Sequence, residues 1–278
     1  NKAYPIVLSI TAIVLFFGAL QAAKANALFA KANDVLKKTQ NYNEIQKPLD
    51  SAIKIQRKHP DYALFKTSLL IQLYNQTEND QFAVEAANLL RVLQQYEPNN
   101  RQLIERQYEW LIAKGENNQA LEWVESNREK FPWDLSLFEK AIALNFDLGK
   151  QAREINQPEK VKYYWNQAIS IYDELSNKKQ LLDQLTNIQK SASDNFKVTP
   201  SIALPIGQIY YLQGDYERAA MVLQPVTSKK VDVQINRTIN AWYLASLIKQ
   251  NKDDKRLYNL LISYDENQKQ YLDELLKY

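Results

Sequence analysis

Residues 206–216 read Ile-Gly-Gln-Ile-Tyr-Tyr-Leu-Gln-Gly-Asp-Tyr, and Ala219 follows three positions later. An earlier stretch, Gly-Glu-Asn at 115–117 followed by Ala120, repeats part of this spacing. A glycine directly after a helix adopts the left-handed conformation at little cost, and a small residue lets two helices cross closely. The two stretches therefore predict helices that end at glycine, turn sharply and return against a partner helix.

Pro98 and Pro132 stand 34 positions apart, which is the length of one tetratricopeptide repeat. Proline ends the second helix of such a repeat because it lacks an N–H group and clashes with the preceding turn. On the same register, Gly207 falls at a helix-crossing position and Gly214 at the turn between helices. The chain thus resembles tetratricopeptide repeat proteins, in which helix pairs stack into a right-handed solenoid.

The resemblance implies an all-α fold, with about six helix pairs over residues 25–278. Each pair has a helix A and a helix B, and irregular or inserted sequence is expected at 150–158 and 177–199. The first helix is expected to end near Lys38. Further helices are expected at 42–58, 64–74, 82–96, 103–113, 120–130 and 135–148, with a break at Gly149 and a new helix from about Val161. The fifth pair is expected at 201–226, the sixth begins at Trp242, and a final helix caps the solenoid.

Composition supports a helical interaction protein rather than an enzyme or a nucleic-acid binder. Among 278 residues, 45% are apolar, and Gly and Pro number only 5 and 9. The net charge of +3 arises from interspersed charges of both signs, so no polybasic nucleic-acid surface is implied. The chain contains no Cys, which excludes disulfides, thiol catalysis and Cys-based zinc sites. No cofactor is implied.

Residues 3–23 carry no charged side chain and predict a transmembrane helix, within a segment 1–24. Twenty-one helical residues span about 31 Å, close to the thickness of a bilayer core. A cleaved signal peptide is the alternative, with cleavage near Ala25 or Ala27. The apolar run is long for a signal peptide, and its helical pattern continues into the repeats. The prediction is a cell-membrane protein, with the side of the solenoid undecided because no upstream flank is given.

No residue constellation in the sequence indicates catalysis or metal binding. His59 is the only histidine and stands beside Pro60, with no other ligand-type cluster nearby. Acidic pairs such as Asp253-Asp254 are typical of solvated helix faces in a protein of this charge density. Phosphate-binding, zinc-protease and nucleophile-elbow motifs are absent from the sequence. We therefore expect no catalytic residue and no metal site in this chain.

The concave face of the repeats is the predicted binding surface. In tetratricopeptide arrays it is lined by positions 2, 5, 9 and 12 of each helix A. Of the residues on that register, we select the following as the candidate binding residues: Gln102, Glu105, Glu109, Ser136, Glu139, Ser201, Gln208, Tyr211, Asn240 and Tyr243. Tyr211 and Tyr243 are the expected anchors. The mixture of amides, carboxylates and tyrosines suits a protein, a peptide or a glycan, and lacks the cationic clamp that recognises a terminal carboxylate. The alternative is that these are ordinary exposed residues.

A more specific resemblance rests on the opening span and four stretches: His-Pro-Asp-Tyr at 59–62, Asn-Arg-Gln-Leu-Ile-Glu-Arg-Gln-Tyr at 100–108, Phe-Pro-Trp-Asp at 131–134, and residues 206–216. Together they resemble the C-terminal part of O-antigen ligase or polymerase-like membrane proteins of Gram-positive bacteria. In that family a polytopic glycan-handling domain precedes a tetratricopeptide tail. The resemblance implies a missing N-terminal transmembrane domain that holds the family's catalytic residues, none of which falls on this sequence.

Three functions stay open on the sequence alone. The chain is a non-catalytic scaffold of a glycan ligase or polymerase, a membrane-anchored peptide-binding adaptor, or a secreted binding protein. The first is favoured by the resemblance, and all three place binding on the solenoid.

Overall fold

A computed structural model of the chain describes residues 3–39, 41–184 and 196–278, with side chains from Val14 onward. Regular structure in these ranges is helical and contains no strand, which confirms the all-α class. The described α-helices are α1 (Ala3–Thr39), α2 (Tyr42–Ile55), α3 (Pro60–Thr77), α4 (Asp80–Tyr96), α5 (Arg101–Ala113), α6 (Asn117–Lys130), α7 (Leu135–Glu154), α8 (Pro158–Asp183), α9 (Pro200–Leu212), α10 (Tyr216–Leu223), α11 (Gln234–Lys249), α12 (Lys255–Tyr264) and α13 (Asn267–Leu275).

The helices form two compact units, one ending at Glu116 and the other beginning at Asn117. In the first unit, α1 packs with α2 and α3 with α4, while α5 lies beside α3. In the second unit, α7 packs with α8 and α9 with α10, while α9 also contacts α7 and α11 contacts α9. Consecutive helical hairpins with their first helices side by side are the arrangement predicted from the repeats. The third predicted pair falls on the boundary between the units.

Two predicted glycine turns end their helices as expected. Gly115 and Gly214 have φ values of 71° and 81°, in the left-handed region. After Gly115, the Glu116 N–H donates to the Leu111 carbonyl oxygen at 2.9 Å, and the equivalent bond after Gly214 also measures 2.9 Å. Each glycine thus satisfies carbonyl groups that would otherwise lack a partner at the helix end.

Gly207 and Gly149 lie where helices cross. A Cβ atom at Gly207 would lie 2.5 Å from Leu223 Cγ, so the predicted small-residue position is confirmed. A Cβ at Gly149 would lie 2.2 Å from Trp165 Nε1, between α7 and α8. The prediction that Gly149 breaks its helix was wrong, because this glycine serves close packing inside α7. The helix ends instead at Glu154, and Asn156, with a φ of 55°, supplies the left-handed turn that follows.

Three other predicted boundaries also differ from those in the structure. The insertion expected at 150–158 reduces to a turn between α7 and α8. The irregular segment expected at 177–199 begins later, since α8 continues to Asp183, and residues 185–195 lie outside the described part of the chain. The sixth pair begins at Gln234 rather than Trp242.

The first helix changes character along its length. Ala25 and Ala32 are fully buried in the core of the first unit, and Tyr62 donates a hydrogen bond to Asn26 Oδ1. Upstream, apolar side chains from Val14 to Leu20 are exposed. Within the described residues, no helix is both long enough and apolar enough to cross a membrane. The transmembrane helix predicted at 3–23 is therefore not found among the described residues. The structure describes the backbone of residues 3–13 but not their side chains.

Candidate functional site

A polar groove runs between α3 and α5 in the first unit, and we call it the first groove. Its volume is about 750 Å³, and it is open to solvent along its length. Ten residues line it: Ser68, Ile71, Gln72, Asn75, Gln76, Arg106, Tyr108, Glu109, Ile112 and Ala113. Helices α3 and α5 are the first helices of their hairpins, so this groove is the surface on which the repeat pattern predicts binding.

The polar lining of the first groove is rich in amides and has no unpaired cation. Gln72, Asn75 and Gln76 are exposed on α3. Across from them, the Arg106 guanidinium forms an ion pair and a hydrogen bond with the carboxylate of Glu109 on the same helix. An amide group both donates and accepts hydrogen bonds, as a peptide backbone does. The groove is therefore suited to a neutral, polar, extended ligand.

The predicted residues of α5 reach this groove only in part. Glu109 lines it, whereas Gln102 is exposed and Glu105 half-buried, and neither belongs to the lining. Sequence reasoning missed the α3 side of the groove. The signal was present, because Ser68 and Asn75 stand one 34-residue repeat before Gln102 and Glu109.

A second groove lies in the other unit along α7, α9 and α11, and its volume is about 550 Å³. Its lining is more apolar and includes the C-terminal helix: Phe146, Lys150, Arg153, Glu154, Gln208, Leu212, Trp242, Tyr271, Glu274, Leu275 and Tyr278. Of the predicted residues, Gln208 lines this second groove. The prediction placed none of the residues of α13 there, because it treated that helix only as a terminal cap.

Tyr211 is not the exposed anchor that the sequence predicted. Its side chain is 1% exposed, and its ring packs edge-on against Tyr216 and Trp242. Burial raises the pKa of Tyr211 to about 12, with the neighbouring Tyr216 as a second cause. Its hydroxyl donates a hydrogen bond to the main-chain oxygen of Leu275. The position that the register assigns to the groove is covered by α13.

Asn240 is also buried and has a structural role. Its Nδ2 donates to the Ser228 carbonyl oxygen at 2.8 Å, and its Oδ1 accepts from the Ser228 N–H at 3.1 Å. These two bonds fasten the turn before α11 to that helix. Asn240 is therefore unavailable to a ligand, contrary to the prediction.

Tyr243 is 8% exposed and lines a separate, shallow cavity with residues 251–255. Burial raises the pKa of its hydroxyl, and the nearby Asp254 carboxylate adds to the shift. Since most of the ring is covered, the prediction of an exposed anchor was also wrong for Tyr243.

The remaining predicted residues lie at helix starts in the second unit. Ser136 accepts a hydrogen bond from Lys140 Nζ at 2.6 Å, and Glu139 accepts one from the Thr199 hydroxyl at 2.5 Å. Ser201 is exposed in the first turn of α9. Neither groove is lined by these three residues.

An ion-pair cluster around one buried cation supports the first unit. Lys66 on α3 is 4% exposed, and its Nζ donates to Asp50 Oδ1 at 2.5 Å and to the Glu85 carboxylate. One cation thus links α2, α3 and α4. Burial raises the pKa of the adjacent Tyr42 hydroxyl, and the charges of Glu85 and Asp50 raise it further.

His59 stands in the turn before α3, where its ring stacks on Tyr62 with centroids 4.5 Å apart. Its Nδ1 lies 3.9 Å from the Asp61 carboxylate. Within the described ranges, no three side chains of His, Asp or Glu come together as a potential metal site.

Comparisons with known proteins do not assign the chain to a family. No family model and no curated protein matches the sequence. A solved structure described as "Functional Characterization of Pseudomonas Aeruginosa pilF" aligns with a TM-score of 0.44 at 15% identity, over 92% of both chains. A tetratricopeptide repeat protein from Parabacteroides merdae ATCC 43184 aligns with a TM-score of 0.37 at 14% identity, over 92% of this chain and 98% of its own. At these low TM-scores the likenesses carry no weight for function.

Proposed function

We propose that this chain is a non-enzymatic protein-interaction scaffold, and that the first groove binds an extended segment of a protein partner. The observation that carries the proposal is the row of exposed amides on α3, opposite an internally neutralised Arg106–Glu109 pair. A preformed groove of this kind holds a main chain by hydrogen bonds and leaves side-chain choice to its apolar floor.

The floor of the groove sets the character of the expected ligand. Ile71 is 6% exposed, and Ile112 and Ala113 continue the apolar strip on the α5 side. Alternate side chains of an extended segment point the same way, so every second residue would contact this strip. We therefore expect small or aliphatic residues at alternating positions and few charges.

The charge of the groove argues against a phosphate or a terminal carboxylate as the main determinant. Its cation, Arg106, is engaged by Glu109, and the nearby Lys114 lies 3.7 Å from Asp80 and over the ring of Tyr74. Recognition of an anion would require these pairs to break. A neutral peptide segment requires no such change.

Selection from a random dodecamer peptide library on the full chain tests the proposal. A selected peptide should bind Asn75→Ala and Gln72→Ala about tenfold more weakly than the unsubstituted chain, because each change removes a two-way hydrogen-bonding group. Fluorescence anisotropy of the labelled peptide gives the dissociation constants.

Gln94→Ala is the matched control, since Gln94 is an exposed amide on α4, outside the groove. Its affinity for the peptide should be unchanged. Equal losses in all three variants, or no loss in any, would contradict the assignment of the groove. Binding of oligosaccharides in preference to every selected peptide would replace the peptide with a glycan as its ligand.

We also propose that this scaffold is part of a membrane-bound glycan-assembly protein. It is supported by the uncharged sequence at 3–23 and by the resemblance to O-antigen ligase-like tails, both features of the sequence. Reading the gene upstream of Asn1 is the test. Further hydrophobic spans would favour the ligase-like parent, and an immediate start codon would favour a separate adaptor.

A further inference from the structure

The C-terminal helix α13 lies on the face of the second unit that its repeat helices would otherwise present to a ligand. It packs on α11 and α12, and its Leu272 and Leu275 are 2% and 3% exposed. Leu275 also lines the second groove beside Leu212 of α9 and Phe146 of α7. Side chains of α13 thus form one wall of this groove and cover the surface of α9 and α11 beneath them.

Two directional contacts fix α13 in position. Trp242 Nε1 on α11 donates to the Tyr271 hydroxyl oxygen at 3.0 Å. The Tyr211 hydroxyl on α9 donates to the main-chain oxygen of Leu275 at 2.9 Å. One donor therefore meets a tyrosine, and the other meets a carbonyl oxygen at the end of a helix, which also accepts a hydrogen bond from the Tyr278 N–H at 3.2 Å.

Basic side chains gather near the same end of α13. Lys150 and Arg153 of α7 line the groove, and the Arg153 guanidinium lies 5.6 Å from the centroid of the Tyr278 ring. The C-terminal end of a helix carries partial negative charge, which cations nearby stabilise. Glu154 also lines the groove, so the cation shown near the C-terminal end of the helix is Arg153.

Helix α13 depends on the groove for its conformation. It has nine residues, and Asp265 caps its first turn by accepting a hydrogen bond from the Asn267 N–H at 3.0 Å. Isolated helices of this length are marginal in water, since too few hydrogen bonds offset the cost of nucleation. Only Asp265 and Glu266 connect it to α12. Contacts with the groove therefore hold α13 in place.

We propose that the surface of α9 and α11 beneath α13, beside the second groove, is a binding surface for an amphipathic helical segment of a partner protein. The segment carries the pattern Tyr-Leu-x-x-Leu, as Tyr271, Leu272 and Leu275 do. Helix α13 occupies the surface as an intramolecular ligand, which the partner helix displaces. An intramolecular segment competes at a high effective concentration, so it sets the affinity that a partner must exceed.

A full-length chain with a protease site inserted between Asp265 and Glu266 tests the proposal. Cleavage turns residues 266–278 into a separate peptide, and the fluorescent peptide 266–278 is the probe. We expect the labelled peptide to exchange into the cleaved protein with saturable affinity. The uncut protein should bind it at least about a hundredfold more weakly, because the tethered helix competes.

Peptide variants identify the contacts. Tyr271→Ala and Leu275→Ala should each weaken binding about tenfold or more, as expected for buried anchors. Lys269→Ala is the control, because Lys269 is exposed on the same helix. An unrelated Ala- and Gln-based helix carrying Tyr, Leu and Leu at the same spacing should also bind.

Several results would overturn the proposal. Loss of helical circular dichroism from the body after release of the peptide would show that α13 is a structural cap. The proposal would also be contradicted if the peptide failed to exchange, if Lys269→Ala weakened binding as much as the anchor variants, or if the unrelated helix did not bind. Equal binding to cut and uncut protein would place the peptide elsewhere.

Discussion

The hydroxyl of Tyr211 donates a hydrogen bond to the main-chain oxygen of Leu275, 2.9 Å away in space and 64 positions later in the chain. Leu275 is the last residue of α13, so its carbonyl group has no acceptor role inside that helix. The buried ring of Tyr211 therefore does two things at once. It packs α9 against α11, and it completes the end of a helix that is remote in sequence.

Tyr211→Phe should lower the free energy of unfolding by about 1 kcal/mol, because the buried Leu275 carbonyl oxygen would keep only the Tyr278 N–H, 3.2 Å away, as its partner. Urea denaturation measures the change. Tyr163→Phe is the control, since the Tyr163 side chain is 58% exposed and should cost almost nothing to change. Similar losses in both variants would indicate a general effect of losing a hydroxyl rather than this bond.

Stability should fall between about pH 10 and pH 12, partly because of Tyr211. The ordinary pKa of tyrosine is 10.0, and burial raises that of Tyr211 to about 12. The folded protein thus holds this proton more tightly than the unfolded chain does. Its contribution to stability is complete below pH 10 and is lost as the pH rises through 12.

Other tyrosines titrate in the same range, because burial also raises the pKa values of Tyr210 and Tyr271. The contribution of Tyr211 is therefore the difference between the unsubstituted chain and Tyr211→Phe. The denaturation midpoints of the unsubstituted chain and of Tyr211→Phe should converge as the pH increases through this range. A constant gap at all pH values would count against the assignment.

Gly207→Ala should reduce stability by about 1–3 kcal/mol, because the new methyl group would meet Leu223 where α9 and α10 cross. Leu223→Ala in the same chain should remove the clash, so the two substitutions should be less than additive. Thermal melting of the two single variants and the double variant measures this coupling.

Gly18→Ala is the matched control for that cycle, since a Cβ at Gly18 would meet nothing within 4 Å. Alanine favours a helix over glycine by roughly 0.5–1 kcal/mol, so this variant should be neutral or slightly stabilised. Strict additivity of Gly207→Ala and Leu223→Ala would mean that the glycine is not required by the crossing.

Lys66→Ala should destabilise the first unit by about 1–3 kcal/mol, because Asp50 and Glu85 would lose their shared cation. Water can reach both carboxylates, whose side chains are 45% and 36% exposed, and this keeps the loss moderate. Lys66→Met should cost less, since methionine retains the apolar stem.

Lys255→Ala is the control for charge removal. The Lys255 side chain is 86% exposed and lies 3.9 Å from Asp253, and such surface pairs contribute little. Chemical denaturation of the three lysine variants compares them directly. A loss for Lys66→Ala no larger than that for Lys255→Ala would show that the Lys66 ion pairs do not hold their helices together.

Much of the fold was predictable because its signals are local. The left-handed turns at Gly115 and Gly214 follow from the preference of glycine for positive φ, and both are found. Gly149 shows the limit of such signals. A glycine inside a helical pattern fits a helix end and a helix crossing equally well, and only the position of Trp165 decides between them.

The binding residues were less predictable. The 34-residue register places Glu109 and Gln208 in grooves correctly, since positions on a helix face follow from helix geometry alone. It places Tyr211 in a groove as well, but the register cannot show that another helix covers that position.

The sequence by itself thus determined the helical class, the glycine-ended turns and the close crossing at Gly207. These depend on backbone conformation and on the size of single side chains. The tertiary structure alone decided that α13 covers Tyr211, that Lys66 joins three helices, and that α3 and α5 form an amide-lined groove. Each of these features joins residues distant in the chain, and the same amphipathic periodicity is compatible with many ways of packing them.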